Sequence, residues 1–438
     1  MKKTLSIILA AAMSAAVFSG CNDENVSKYI PDGNISNSTT DSTDSTAADS
    51  NNTGAPNTGI PKKDTDTLDT VITDYKYDFW SNDYDRYAIT DKYLYFDDLF
   101  TADGAGSHFM QDYKIDLQTG EMTPLCNVPE CHHSFEDTDC ESFIPEAAIG
   151  DKCYARKRTG LLYESRTIID ESGNVVFENK FASDLALQYA QQTMERYDSE
   201  RKKYDEDDIK YNIKYILADE KNLYITGSNY IYAYDIETKQ TTEPLIIEED
   251  FPCDILGTDM DNKKVYFKNE VQEVFMADLA NQTVTKVCDG DIDNLIAYNG
   301  KIYYICFLPH EPDEPWRTQL FEADPDFTNA KVLIEDCENV FNIKDDKIFY
   351  FDQSTDEGEQ QKMLHSYDMS TGESTDLFNV AEDVMRIVTA PHIDRIFTIS
   401  LHSERTGVSN ILNTIIISFK PDGSDIWTNE VKNQEALY

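Results

Sequence analysis

Residues 222–242, NLYITGSNYIYAYDIETKQTT, contain two short strand patterns, one before and one after a turn at Gly227-Ser228-Asn229. The first strand spans residues 223–226 and the second residues 230–234; Asp235 then opens another turn and a further strand begins. Alternation places Tyr230, Tyr232 and Tyr234 on one face, the sequence form of an antiparallel meander. A unit this small cannot bury a core alone, so it must stack against copies of itself.

Six further copies are visible. The aromatic of the unit's leading strand is Tyr95, Tyr154, Tyr224, Tyr266, Tyr303, Phe349 and Phe397 in turn, each preceded by a polar turn such as Asp91-Lys92 or Asp345-Asp346. The unit's next strand closes on an acid: Asp116, Asp170, Asp235, Asp278, Asp324 and Asp368. Hairpin chemistry follows several of them, as in Gln118-Thr119-Gly120 and Ser370-Thr371-Gly372. In the last copy Lys420 replaces the acid and the turn is Pro421-Asp422-Gly423. The shorter repeats span about 40 residues, the length of one four-stranded blade. The expectation is an all-β chain: a β-propeller of about seven four-stranded blades over residues 68–438, with a short helical insertion. A β-sandwich is the rival, but it does not call for one motif recurring at blade length.

The helical signal lies in residues 183–203, where Leu187, Ala190, Met194 and Tyr197 follow helical spacing after Ser183 as N-cap. A second break, residues 308–318, carries Pro309, His310, Pro312, Pro315 and Trp316. Loops on rigid scaffolds concentrate binding residues, and Trp316 is a candidate ligand contact through its aromatic face. The third break is Cys126-Asn127-Val128-Pro129-Glu130-Cys131-His132-His133, followed by Cys140 and Cys153. Disulfides are the default use of cysteines in an exported chain. Three cysteines and a histidine (Cys126, Cys131, His133 and Cys140) are also a zinc donor set, of the closed, structural kind. Free thiols are the third reading.

The chain resembles lipid-anchored β-propeller lipoproteins of Gram-positive bacteria, related to the low-density-lipoprotein-receptor type of propeller. The likeness covers residues 88–419 and rests on the hairpins built like Tyr232-x-Tyr234-Asp235 and on CxxPxCxH with a later Cys, matched by Cys126, Pro129, Cys131, His133 and Cys140. It implies the fold and leaves function open.

Residues 1–20 have a basic start, an apolar run and small residues before Cys21, the pattern of an export signal. Val17-Phe18-Ser19-Gly20-Cys21 matches a lipobox, apart from Phe18 where a branched aliphatic is usual. Cys21 is therefore the expected lipidation site, which would anchor the chain by its acyl groups on the extracytoplasmic face of the membrane. Residues 22–67 are rich in Ser, Thr, Asp and Asn and nearly free of aromatics, so residues 21–67 read as a lipidated Cys followed by a flexible linker.

The formal net charge is -44 over 438 residues. A phosphate backbone would be repelled, which excludes general nucleic-acid binding; basic partners and cations would be attracted. The acids raise a calcium reading, for which Asp289, Asp291 and Asp293 come closest to a loop of ligands. A single acid at each strand end more simply caps its turn. No GxSxG, HExxH, Walker loop or GxGxxG in a strand–helix setting occurs. The function expected is a membrane-anchored binding module for a protein, peptide or glycan. A glycan- or peptide-acting hydrolase and an envelope scaffold are the alternatives; two opposed carboxylates in a central pocket would mark the hydrolase.

Overall fold

The computed structural model describes residues 87–97, 101–102, 108–109, 112–126, 128, 141–159, 162–163, 166–181, 211–227, 229–247, 254–269, 271–308, 317–353, 361–381, 383–389, 393–406 and 409–431. Residues 222–242 supply three of the four strands of one antiparallel sheet: Asn222–Thr226, Tyr230–Asp235 and Gln240–Thr241. The sheet's first strand, Tyr215–Ala218, precedes them. The recurring unit is thus strands two to four of a blade, and its marker aromatic sits on the second strand rather than the first. Alternation sorts the side chains as expected: Leu223, Ile225, Tyr230, Tyr232 and Tyr234 pack to one side. Tyr224 and Ile231 pack to the other.

Six more sheets follow the same rule, each with four main strands; a short extra strand adds to the second blade (Leu162–Tyr163) and to the sheet just described (Leu245–Ile246). Blade 1 is Tyr87–Ile89, Tyr93–Asp97, Asp112–Asp116 and Met122–Pro124. Blade 2 is Phe143–Ile149, Lys152–Thr159, Thr167–Asp170 and Val175–Glu178, and the sheet described above is blade 3. Blade 4 is Asp254–Asp259, Lys264–Lys268, Glu273–Asp278 and Thr283–Asp289. Blade 5 is Ile292–Tyr298, Lys301–Phe307, Thr318–Ala323 and Lys331–Glu335. Blade 6 is Cys337–Lys344, Lys347–Asp352, Gln361–Asp368 and Glu373–Ala381. Blade 7 is Asp383–Thr389, Ile396–Thr406, Ser409–Phe419 and Trp427–Val431.

The core is divided among the seams between blades. One apolar cluster joins blades 1 and 2 through Tyr95, Phe143 and Cys153. Others join blades 2 and 3, 3 and 4, 4 and 5, 5 and 6, and 6 and 7. The last joins blade 7 back to blade 1: Leu94, Phe96 and Ile115 lie against Phe397, Ile416 and Trp427. The seams form an unbroken cycle, so the sheets close into a ring and the protein is a seven-bladed β-propeller. The first strands of neighbouring blades approach most closely: a Cβ on Gly257 in blade 4 would lie 1.9 Å from the Leu295 carbonyl oxygen of blade 5.

Every blade takes its four main strands in chain order from one stretch of the chain, so among the described residues no sheet mixes strands from the two ends. Packing closes the ring instead. Gly120, at φ +65°, admits the Trp427 ring to 3.2 Å from where a Cβ would stand. Asn429 Nδ2 donates to the Gly120 carbonyl at 3.0 Å. Arg395 lies over the Trp427 ring at 5.5 Å and pairs with Asp425.

Antiparallel order fixes which connections emerge where. The turns between strands one and two and between strands three and four open on one rim, called the turn rim. The connections between strands two and three and from blade to blade open on the opposite rim, the loop rim.

Candidate functional site

The turn rim is closed by its own side chains. Asp116 Oδ1 accepts the N–H of Gln118 and Thr119 at 2.9 and 2.8 Å, and Asp170 Oδ1 accepts those of Ser172 and Asn174 at 2.9 Å each. Asp235, Asp278 and Asp368 do the same for Thr238, Asn281 and Ser370 at 2.7, 2.9 and 2.8 Å. In blade 5 Asp324 takes side-chain donors instead, Asn329 Nδ2 and Lys301 Nζ at 2.6 Å each. Blade 7 regains a cap two residues later, where Asp422 accepts Ser424 N–H at 2.9 Å. These acids serve as turn caps, which satisfy backbone donors that a hairpin would otherwise leave open.

Latches between blades run along the same rim. Asp91 N–H donates to the Gly150 carbonyl at 2.9 Å, tying blade 1 to blade 2. Tyr298 Oη and Asn299 Nδ2 both donate to Asp346 Oδ1 at 3.0 Å, tying blade 5 to blade 6. Asp219 of blade 3 accepts the N–H of Lys221 and Asn222 at 2.8 Å and Tyr224 Oη at 2.7 Å, and pairs with Lys263 of blade 4. Burial pushes the Asp219 carboxyl up, but the bonds from Lys263, Tyr224 and the two amides outweigh it and hold the group at about 2. Lys263 sits at φ 55°, in the left-handed region, within the turn between strands one and two of blade 4.

The three acids nearest to a calcium loop have separate partners. Asp289 pairs with Lys286 at 2.7 Å, while Asp293 accepts Asn339 Nδ2 at 2.6 Å. Asp291 has its pKa raised by burial, against the pull of Lys268. Among the described residues no group of three or more His, Cys, Asp or Glu side chains stands together as a metal donor set.

The carboxylates of the first strands are also engaged wherever their side chains are described. Glu146 pairs with Arg156, which is fully buried and also donates through Nη1 to the Ile213 carbonyl at 2.8 Å. Asp254 pairs with Lys214 at 2.9 Å, and Glu338 with Lys362 at 2.8 Å. Asp259 accepts Asn262 Nδ2 at 2.8 Å, and Asp293 is held by Asn339. Acid–base hydrolysis needs two carboxyls facing one substrate with their pKa values pushed apart. These carboxylates instead bind cations and amides of their own or the adjoining blade.

The loop rim is the opposite in character. All three breaks in the repeat pattern begin and end there. Cys126 and Glu141 flank the first, Phe181 and Tyr211 the second, and Leu308 and Arg317 the third. Blade 7 extends the rim: its second and third strands are each 11 residues long and stay paired from Ile396↔Phe419 to Thr406↔Ser409. Beside it, the connection between strands two and three of blade 1 carries its own antiparallel pair, Thr101–Ala102 with His108–Phe109, packed against the third strand of blade 7.

The second break has a rigid base. Asn179, buried at the end of blade 2, donates through Nδ2 to the Tyr211 carbonyl at 2.8 Å and to Tyr230 Oη at 2.7 Å. Its Oδ1 accepts Tyr232 Oη at 2.6 Å and Phe181 N–H at 3.0 Å. One side chain thus binds both ends of the 182–210 segment to blade 3. Burial pushes the Tyr230 hydroxyl up to about 12, keeping it a neutral donor and acceptor. Nothing in the local sequence marks Asn179, because its partners lie far along the chain.

Of the residues singled out from sequence, Cys126 is buried where blade 1 hands over to blade 2. Cys153 is core in the seam between those blades, its thiol pushed up by burial. Both are free thiols. Cys21, Cys131, His133, Cys140, Trp316 and the helical segment 183–203 lie outside the described residues.

No protein-family pattern matches the chain, and no curated protein matches it. Among solved structures it is similar to the β-propeller domain of the Trilobed protease from Pyrococcus furiosus, at 12% identity over 83% of this chain and 100% of that one, with TM-score 0.41. It is also similar to the tricorn protease, at 11% identity over 80% of this chain and 43% of that one, with TM-score 0.37. A third likeness is to TolB from Acinetobacter baumannii, at 11% identity over 61% of this chain and 59% of that one, with TM-score 0.34. The chain spans less than two thirds of the length of the tricorn protease and of TolB.

Proposed function

We propose that this propeller is an extracytoplasmic binding module, tethered by lipid on Cys21 and lifted from the membrane by residues 22–67, that recognises a protein, peptide or glycan through its loop rim. The observation that carries the reading is the asymmetry of the two rims. Every turn-rim acid described above is engaged within the molecule, whereas the three long breaks in the repeat all leave the ring at the loop rim. Binding residues concentrate on such loops because the scaffold keeps its stability while they vary. Trp316, in the loop between strands two and three of blade 5, is the ligand contact of this reading. Cys126, Cys131, His133 and Cys140 would brace the loop between blades 1 and 2 by disulfides or by structural zinc. The net charge of -44 suits a basic or neutral ligand and disfavours nucleic acid.

Glycan and peptide arrays probed with the soluble chain test the binding. The expected ligand is lost in Trp316→Ala and kept in Asp346→Asn on the turn rim. Loss in the second variant with retention in the first would refute the assignment of the rim. Metabolic labelling with a fatty-acid analogue tests the tether, and equal labelling of wild type and Cys21→Ala would refute it. Thiol titration with metal analysis separates disulfides from zinc in the cysteine loop.

A further inference from the structure

Two thiols outside the CxxPxCxH motif flank the connection from blade 4 to blade 5. Cys288 is on the fourth strand of blade 4, opposite Val274, and Cys306 is on the second strand of blade 5, opposite Ile292. Only Asp289, Gly290 and Asp291 separate Cys288 from Ile292. That connection is pinned from both sides. Gly290 N–H donates to the Gln272 carbonyl at 3.0 Å, Ile292 N–H to the Gly290 carbonyl at 2.9 Å, and Phe307 N–H to the Asp291 carbonyl at 2.9 Å. Both cysteines are free thiols in this structure, half-buried, and pack on the same apolar cluster, which includes Val274, Ile292, Tyr304 and Phe327.

We propose that Cys288 and Cys306 form a disulfide that ties blade 4 to blade 5 at the loop rim. The reaction needs a disulfide oxidant, such as glutathione disulfide or an oxidoreductase of the exported compartment. The thiolate of one cysteine attacks the oxidant and displaces a thiolate; the second cysteine attacks the resulting mixed disulfide. One S–S bond forms between the two side chains, their two protons are released, and the oxidant takes up two electrons to leave as two thiols. Timing follows from burial. Once folded, Cys288 is pushed to about 12 by burial, by Asp289 and by Cys306, and Cys306 to about 11 by burial and Asp291. Thiols held so high are poor nucleophiles, so the bond forms while the seam is still open. In the cell the oxidant depends on the extracytoplasmic location proposed above.

The test is made on the full chain and supplies its own oxidant. Reduced, unfolded protein is refolded in a glutathione redox mixture, alkylated, digested and mapped by mass spectrometry. The expected product is a peptide joining Cys288 to Cys306, with an unfolding midpoint about a few degrees above that of the reduced protein. In Cys306→Ala that difference disappears and Cys288 is recovered alkylated or glutathionylated. Recovery of both wild-type cysteines as separate adducts, or joined to other cysteines, overturns the pairing. The same map on protein purified without reductant gives the readout where refolding is incomplete. A link that forms in vitro in a chain whose Cys21 takes up no lipid leaves the pairing standing and removes the lipid tether instead.

Discussion

The two rims of this propeller are made of the same strands and do opposite things. On the turn rim, Asp219 gathers two backbone amides, Tyr224 and Lys263 into one network across blades 3 and 4. On the loop rim, the 182–210 segment departs and returns at one point, and the Asn179 side chain bonds both its ends. Turn-rim acids therefore contribute to stability, and loop-rim segments are free to differ without unfolding the ring. The difference teaches that abundant acidic residues are not in themselves a binding surface: the turn-rim acids named above are engaged at home.

The largest expected effect is at ring closure. Trp427 fills the space above Gly120 and packs edge-on to Phe397, with ring centroids 5.9 Å apart. Truncating a buried aromatic costs about 3–5 kcal/mol. Trp427→Ala should lose that much in denaturant unfolding while ligand binding by the folded fraction persists. A loss below about 1 kcal/mol would mean that the ring is held elsewhere.

Asn179→Ala comes next. It leaves buried partners, including the hydroxyl of Tyr232 and the carbonyl of Tyr211, without their bonds. The expected cost is about 2–3 kcal/mol, unusual for a loop-rim residue and measurable by the same unfolding curves.

Asp219 gives the turn rim a pH signature. Its carboxyl moves from an ordinary 3.8 to about 2 on folding. A lowered carboxyl stabilises the fold above its unfolded value, and that contribution fades as pH falls through the folded one. Wild-type stability should therefore decline between about pH 4 and pH 2, by on the order of 2 kcal/mol for this group. Asp219→Asn should be weaker at neutral pH and show a shallower decline. Equal slopes in the two proteins would place the acid sensitivity elsewhere. A plain cap is smaller still: Asp170→Ala removes the acceptor for Ser172 and Asn174 and should cost about 0.5–1 kcal/mol.

Much of the turn rim was legible in the sequence, because capping is local: Asp116, Asp235 and their counterparts bond amides two to four residues away. The marker aromatics located the blades for the same reason. The first strands were not legible. Tyr215–Ala218 is buried at every position and Asp254–Asp259 at all but its first, so neither shows the alternation that marks a half-exposed strand. The repeat visible in the sequence therefore starts at strand two of each blade. Ring closure, Asn179 and the Glu146–Arg156 pair were invisible because their partners come from separate strands and blades. The loop rim was legible only as places where the repeat fails; that these share one side follows once four antiparallel strands per blade are counted.

The smallest expected effect is the one that divides the rims most cleanly. Replacing residues 184–208 by a short Gly/Ser linker keeps Asn179, Phe181, Tyr211 and Tyr230, and so keeps every bond at the base of the segment. Loop-closure entropy changes by only about 0.6 kcal/mol per doubling of length, so shortening the loop should shift stability by less than about 1 kcal/mol. The unfolding midpoint should stay near wild type, while binding through this part of the loop rim falls. If the midpoint drops as far as in Asn179→Ala, the segment is part of the propeller's core, and the contrast between a stabilising rim and a variable one fails at its largest insertion. If midpoint and binding are both unchanged, the recognition surface narrows to the Trp316 and Cys126–Cys140 loops, which leave the ring at the blade 5 and blade 1–2 positions of the same rim.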